Sequence, residues 1–170
     1  MAKKRNYREF KQGLYRPQTP GKCLNQTPPE YRSGLEMKLM CVLDKNPNIL
    51  QWSSERVIIP YFKRTENRMA RYFVDFYFKI KIGEVIKEFI VEVKPKKQME
   101  RVMDTINGTQ GKPHGNKKKS TVVYENMEAA TNLDKWEAAK KWCEEQKRTK
   151  GRDIHFVIVT EENIDKILTT

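Results

Sequence analysis

The stretch RYFVDFYFKIKIGEVIKEFIVEVK, residues 71–94, decides the fold because it reads as two apolar strands joined by a two-residue turn. Glycine at the first central position, Gly83, suits a type II′ turn, the kind that closes a β-hairpin. If the turn centres on Gly83 and Glu84, the numbers of facing residues sum to 167 throughout the hairpin. The stretch therefore predicts both a hairpin and its register.

This register sorts the side chains into two faces, since neighbouring residues of a strand point to opposite sides. One face is apolar apart from Lys87, and this consistency supports the register and predicts a core face. Its apolar members are Val74, Phe76, Phe78, Ile80 and Ile82 with Val85, Phe89, Val91 and Val93.

The other face brings two carboxylates together, because Asp75 lies directly opposite Glu92, with Lys94 two residues further on. Like charges facing each other across strands are destabilising by up to about 1 kcal/mol. A divalent cation would offset the repulsion, and hard cations such as Mg²⁺ prefer carboxylate oxygens. The alternative is the wet face of a half-buried sheet, on which Lys79 and Lys94 neutralise the acids.

Patterns outside the hairpin predict further elements of an α/β fold. Ser33 is a good N-cap for a helix that ends before Pro47. The remaining predictions are an extended segment over 55–62, an amphipathic helix over 133–151, a short buried strand over 154–160 and a last helix over 161–168.

Composition favours an intracellular chain with a polyanionic partner. The 170 residues fit one domain, and a net charge of +12 favours nucleic acid, although a merely soluble basic protein is the alternative. No apolar run is long enough for a spanning helix, which disfavours a membrane partner. Three scattered cysteines without a C-x-x-C pair make a zinc site or a disulfide framework an unlikely feature.

Two basic segments flank or interrupt the predicted domain over 31–170. Residues 1–30 hold seven Lys or Arg and two acids, with several prolines, and are predicted to form a basic arm that is flexible on its own. Residues 108–120 have glycines, a proline and four lysines without an acid, which predicts a basic loop. Either segment could grip phosphates, and the arm could equally serve solubility.

Glu36 has two interpretations. Ser33 and Glu36 fit a capping box, in which the glutamate bonds back to the start of its helix. A glutamate in a first helical turn near the hairpin could equally complete a metal site. The local pattern favours neither.

Together these residues resemble a known family. Glutamate on a first helix, aspartate on a strand and E-x-K on the next strand follow the order of the PD-(D/E)-x-K nuclease fold, which has a mixed central sheet flanked by helices. The segments YRSGLE, IIPY, RYFVDF, FIVEVKPKKQ and TNLDKWEAAKKWCEE resemble the TnsA-type endonucleases, in particular the head completion nucleases of T-even-like tailed phages. The resemblance covers roughly residues 31–165.

The resemblance implies an active site and its chemistry. It assigns catalytic positions to Glu36, Asp75, Glu92 and Lys94, and a polar helper to Gln98. In TnsA itself the position of Glu92 is a glutamine. The carboxylates, with the Val93 carbonyl as a further ligand, are expected to hold one or two Mg²⁺ ions, with Mn²⁺ as an alternative.

DNA is the expected substrate and partner, held through its backbone without base reading. The cationic residues predicted to contact it are Lys3, Lys4, Arg5, Arg32, Lys96, Lys97, Lys112, Lys117, Lys118 and Lys119. The resemblance implies a Mg-dependent deoxyribonuclease that trims packaged DNA in the host cytoplasm or the virion, with capsid, portal or neck proteins as partners. The alternatives are a non-catalytic DNA-binding head or neck protein and a cutting subunit of a transposition system.

Overall fold

The computed structural model describes residues 12–108 and 119–166. Within these ranges it has eight strands and three α-helices. Their bounds are β1 Gly13–Leu14, β2 Glu30–Tyr31, α1 Gly34–Lys45, β3 Ile49–Ser54, β4 Ile58–Lys63, β5 Arg68–Phe73, β6 Phe76–Ile82, β7 Val85–Val93, α2 Lys96–Asn107, α3 Lys119–Lys150 and β8 Ile154–Val159.

The predicted hairpin is confirmed, register included. Strands β6 and β7 pair antiparallel from Ile82 facing Val85 to Phe76 facing Val91. Gly83 has a φ of +59°, whereas Glu84 is not among the residues with positive φ. This combination is the one that a type II′ turn requires.

The hairpin forms the middle of a four-stranded sheet with the order β3-β6-β7-β8. Strand β3 is antiparallel to β6, whereas β8 is parallel to β7. The fold is therefore a mixed central sheet flanked by helices, as predicted. None of the helices within the described ranges is long and apolar enough to cross a membrane.

Helices cover both faces of this sheet. On the predicted core face, Leu39 and Leu43 of α1 belong to one buried cluster with Phe78 and Val91 of the sheet. On the opposite face, Ala139 of α3 belongs to a second buried cluster that includes Tyr77, Ile90 and Ile154 of the sheet. The face that carries the carboxylates is therefore largely buried, so the wet-face alternative does not describe it.

The prediction of one unbroken strand over 71–82 is wrong, because the chain leaves one sheet and enters another at Val74 and Asp75. Strand β5 pairs with β4 in a separate two-stranded sheet, and β6 begins only at Phe76. At the break, the N–H of Val74 donates to the Val57 carbonyl and the Asp75 carbonyl accepts from the N–H of Glu55. Val74 consequently packs on the α3 side and not on the predicted core face.

Part of the predicted flexible arm is packed on the domain. Asp44 of α1 is fully buried and accepts hydrogen bonds from the hydroxyl of Tyr15, the N–H of Gln18, and the N–H and hydroxyl of Thr19. Strands β1 and β2 pair with each other. The prediction of flexibility is therefore wrong for residues 12–30, while residues 1–11 lie outside the described residues.

The helical content also differs from the prediction. Helix α2 was not predicted, and α3 starts at Lys119, well before the predicted start at residue 133. The end of the predicted basic loop thus belongs to a helix, and its residues 109–118 lie outside the described residues. Residues 161–166 form consecutive turns in place of the predicted last helix over 161–168. Its residues 167 and 168 lie outside the described residues.

Candidate active site

The two facing carboxylates lie where the two sheets meet. Asp75 occupies the break between β5 and β6, and Glu92 is the residue that faces it when the hairpin register is continued by one step. Glu92 is buried and Asp75 is half-buried. The N–H of Val93 donates to Oδ2 of Asp75 at 2.7 Å, which fixes the aspartate against the end of β7.

The electrostatics of Asp75 reflect this crowding. Burial, followed by the charge of Glu92, raises the pKa of Asp75 from 3.8 to about 7, and the charge of Glu36 adds to the shift. The Val93 N–H and the Lys94 ammonium act in the opposite direction without cancelling it. The charges of Glu36, Glu92 and Lys94, the other residues that the resemblance assigns, therefore all reach Asp75.

Glu92 is held at both carboxylate oxygens. Lys94 Nζ lies 3.1 Å from Oε1, and the hydroxyl of Tyr72 donates to Oε2 at 2.6 Å. Tyr72, almost fully buried on β5, has a pKa raised by burial and by the neighbouring Glu92 charge, so it remains a hydrogen-bond donor.

Sequence reasoning missed Tyr72. If 71–82 were one strand, Tyr72 would point away from Asp75 and Glu92, because alternation places it on the opposite face. The break at Val74 and Asp75 removes this alternation and lets strand β5 deliver the hydroxyl to Glu92. The only available signal was the motif RYFVDF itself, in which the tyrosine precedes the aspartate by three residues.

Glu36 performs the capping role that its motif predicts. The side chain of Ser33 accepts from the N–H of Glu36 at 3.1 Å and donates to Oε1 of Glu36 at 3.0 Å. The other oxygen, Oε2, accepts from the N–H of Arg32 at 2.8 Å, one residue before the usual capping-box donor. Glu36 thus caps α1 while its charge reaches Asp75.

The carboxylates of this site meet part of what a hard divalent cation requires. Asp75 and Glu92 offer carboxylate oxygens whose mutual repulsion Lys94 and the Val93 N–H offset only in part, and a bound cation would offset the rest. Within residues 12–108 and 119–166, however, no three His, Cys, Asp or Glu side chains are grouped closely enough to hold a metal ion. Glu36 would have to turn away from its cap to join the pair.

A second buried acid belongs to a structural network. Glu88, further back along β7, accepts from the hydroxyl of Tyr77 at 2.5 Å and is paired with the Arg152 guanidinium. Arg152 also donates to Gln146 of α3 at 3.0 Å. Because the carboxylate is fully engaged by these donors, Glu88 joins α3 to the sheet and is not a candidate ligand.

Comparison with known proteins identifies the family. The model of the TnsA-like endonuclease N-terminal family matches residues 46–161, which include Tyr72, Asp75, Glu92 and Lys94. The chain belongs to this family. It is also 35% identical, over 134 residues and 79% of each chain, to the head completion nuclease of Enterobacteria phage T4. The fold is accordingly that of a restriction-endonuclease-like domain, and Glu36 lies just outside the matched range.

The cationic residues around this TnsA-like site differ in what they contact. Arg32 is exposed, and its guanidinium pairs with Glu55 at 2.9 Å. Lys96 pairs with Glu162 of the C-terminal turns, so its ammonium is already engaged. Lys97 and Gln98 are exposed in the first turn of α2.

The other basic residues predicted to bind DNA cannot be placed at the TnsA-like site. The side chain of Lys119, the first residue of α3, is not among the described parts. The remaining positions lie in the ranges 1–11 and 109–118, outside the described residues: Lys3, Lys4, Arg5, Lys112, Lys117 and Lys118. Their role in binding DNA stays a prediction.

Proposed function

We propose that this TnsA-like endonuclease is a metal-dependent deoxyribonuclease that trims packaged DNA during phage head completion. The observation that carries the proposal is the convergence of Asp75, Glu92 and Lys94 at the junction of the two sheets, with the pKa of Asp75 raised by burial and by the Glu92 charge. Among the described residues, this is a place where two neighbouring carboxylates share one lysine.

We assign each residue of the site a role in this reaction. Asp75 and Glu92, joined by Glu36 and the Val93 carbonyl, would hold one or two Mg²⁺ or Mn²⁺ ions. Such an ion lowers the pKa of a bound water and stabilises charge that develops on a phosphate. Tyr72 and Lys94 keep the Glu92 carboxylate in one orientation. Lys94, whose ammonium lies beside Glu92, would orient the attacking water or stabilise the charged phosphate.

The biological setting is proposed from the similarity to the phage T4 head completion nuclease. We accordingly propose that the protein acts in the host cytoplasm during assembly or in the virion, before tail joining. Capsid, portal or neck proteins are the proposed partners. The net charge of +12 suits a duplex DNA substrate held through its phosphates.

The test is cleavage of supercoiled plasmid and of linear duplex DNA by the purified chain in Mg²⁺, in Mn²⁺ and in EDTA. Asp75→Ala and Lys94→Ala remove one carboxylate and the lysine, and we expect at least a hundredfold loss of cutting in both. Glu84→Gln in the exposed hairpin turn is the matched control, with wild-type cutting expected. DNA binding, measured in EDTA, should be retained in all three variants.

A wild type that binds DNA but cuts neither substrate with either metal would contradict the proposal. If the variants then behaved like the wild type, a non-catalytic DNA-binding head or neck protein would be the better description. Cutting that required a transposase partner and one transposon end would instead favour a TnsA-like role in transposition.

A further inference from the structure

The hairpin of β4 and β5 presents an outer face that nothing in the described parts of the chain covers. Its inner face, with Ile59, Tyr61 and Tyr72, is buried in the cluster that includes α3. The outer face consists of three cross-strand pairs, in order from the active site towards the hairpin tip: Ile58 with Phe73, Pro60 with Arg71, and Phe62 with Met69. We call these six residues the ribbon face.

The ribbon face is unusually apolar for a surface that is exposed to solvent. Phe73 is 42% exposed, Phe62 49% and Met69 61%. Ile58 and Pro60 are also exposed and lie between them on the same side. Contiguous exposed apolar patches of this kind mark binding surfaces.

The charge around the ribbon face selects a polyanion as its partner. Residues 58–73 contain four cations and one acid, Glu66, which is shared by Lys63 and Arg68, whereas Arg64 is paired with Asp134 of α3. One carboxylate offsets one of these two charges, so the hairpin tip keeps a positive charge. Arg71 has its guanidinium 5.5 Å from the Phe73 ring centroid and no carboxylate partner among the described residues.

The ribbon face is continuous with the active site. Strand β5 carries Tyr72, which bonds Glu92, and two residues after Phe73 the chain reaches Asp75. Six residues of strand extend about 20 Å, the length of about six nucleotides in a stacked strand. Any DNA that reaches Asp75 and Glu92 therefore has the ribbon face within a few nucleotides of the cut.

We propose that the ribbon face binds DNA bases that have left the stack, so that this endonuclease acts preferentially on gapped, branched or frayed DNA. The inference rests on the proposed function and names the substrate class of that site. Phe, Ile, Met and Pro are the side chains that DNA-bending proteins insert between bases, and exposed aromatic rings stack on unpaired bases. Arg71, held over Phe73, contacts the phosphate of the displaced nucleotide.

The experiment measures binding of the full chain in EDTA, so that no cutting occurs. The probes are an intact duplex and the same duplex with a two-nucleotide gap that carries 2-aminopurine at its edge. For the wild type we expect tighter binding to the gapped DNA, together with a change in 2-aminopurine fluorescence. The double variant Phe62→Leu with Phe73→Leu keeps apolar side chains but removes both rings, and it should bind gapped DNA about tenfold more weakly.

Controls separate ring stacking from other causes. Phe62→Tyr with Phe73→Tyr keeps both rings and should bind as the wild type does. Val123→Ala with Tyr124→Ala removes comparable exposed apolar area from α3 and should change neither probe. Arg71→Gln should weaken binding of both probes and reduce the salt dependence.

The proposal is overturned if the wild type binds both probes equally, or if the leucine variant loses affinity for both to the same extent. It is also overturned if the ribbon variants change only self-association in sedimentation, which would assign the face to a second copy of the chain. Failure of the proposed nuclease function is a separate result, because it appears as absent cutting in Mg²⁺ whatever the two probes show.

Discussion

Asp75 shows which side-chain positions the sequence predicts and which it does not. A turn glycine and an alternating pattern were sufficient to place it opposite Glu92, and the observed register, continued by one residue beyond Phe76 and Val91, agrees. The same alternation hid Tyr72, because a break in hydrogen bonding at Val74 and Asp75 changes which face each side chain takes. Continuous apolar strands carry no local sign of such a break, since both segments remain extended.

The raised pKa of Asp75 makes the stability of the metal-free protein depend on pH. The native state binds more protons than the unfolded state between the usual value of 3.8 and about 7, so stability falls as pH rises through this window. Asp75→Asn keeps an acceptor for the Val93 N–H and removes the charge. We expect its free energy of unfolding to exceed that of the wild type by about 4 kcal/mol at pH 8 and by little at pH 4.

Chemical denaturation in EDTA across this pH range checks the expectation. Adding Mg²⁺ at pH 8 should stabilise the wild type and leave Asp75→Asn unchanged, if the ion binds where we propose. A difference between the two proteins that does not vary with pH would show that Asp75 is ionised without penalty.

Tyr72 is expected to orient Glu92. Tyr72→Phe removes a buried hydrogen bond to a carboxylate, which should lower the free energy of unfolding by about 2 kcal/mol in EDTA. It should also weaken Mn²⁺ binding, measured by calorimetry, because Glu92 gains freedom to rotate. Tyr124→Phe, which deletes a hydroxyl on the exposed surface of α3, is the control. Unchanged Mn²⁺ affinity in Tyr72→Phe would limit this tyrosine to a packing role.

At the scale of elements, local signals explain what was predictable. Ser33 capped α1 as expected, and the turn at Gly83 fixed the hairpin. Helix α2 was missed although Met99, Val102 and Ile106 recur at helical spacing, because glycines and lysines further on favoured a loop. The burial of Asp44 could not be predicted, since its partners are up to 29 residues away.

The Asp44 contacts give a prediction for the segment 12–30. Burial opposes ionisation of Asp44, but the hydrogen bonds from Thr19, Gln18 and Tyr15 hold its pKa below the usual value. Asp44→Ala leaves these donors without their acceptor and should cost about 3 kcal/mol of stability. Limited proteolysis should then cut within 12–30 first.

Asp165→Ala is the matched control for that change, because Asp165 is exposed and, within the described residues, forms its ion pair with exposed Lys38. We expect its stability to change by less than about 1 kcal/mol and its proteolysis pattern to stay that of the wild type. Equal effects of the two substitutions would mean that Asp44 does not hold the segment.

At the scale of the whole molecule, the positive charge is the dominant feature. Residues 1–11 contribute five cations and one acid. Deleting them should reduce the slope of log affinity for duplex DNA against log salt by about 3 if most of these cations neutralise phosphates. Replacing Lys147 and Lys150 by glutamine, at the far end of α3, should leave the slope nearly unchanged. Equal slopes for the deletion and the wild type would assign the first residues a role other than DNA binding.

The parallel pairing of β7 with β8 has a consequence for synthesis of the protein. Glu88 pairs with Ile154 and Val93 with Val159, although more than sixty residues separate these partners along the chain. A nascent chain that has reached Asn107 already carries all four proposed catalytic residues, but β7, paired with β6 on one side, still lacks β8 on the other and presents an open strand edge. An open strand edge can pair with a strand of another chain and so lead to aggregation. Emergence of β8 from the ribosome therefore completes the sheet and covers the edge of the strand that carries Glu92.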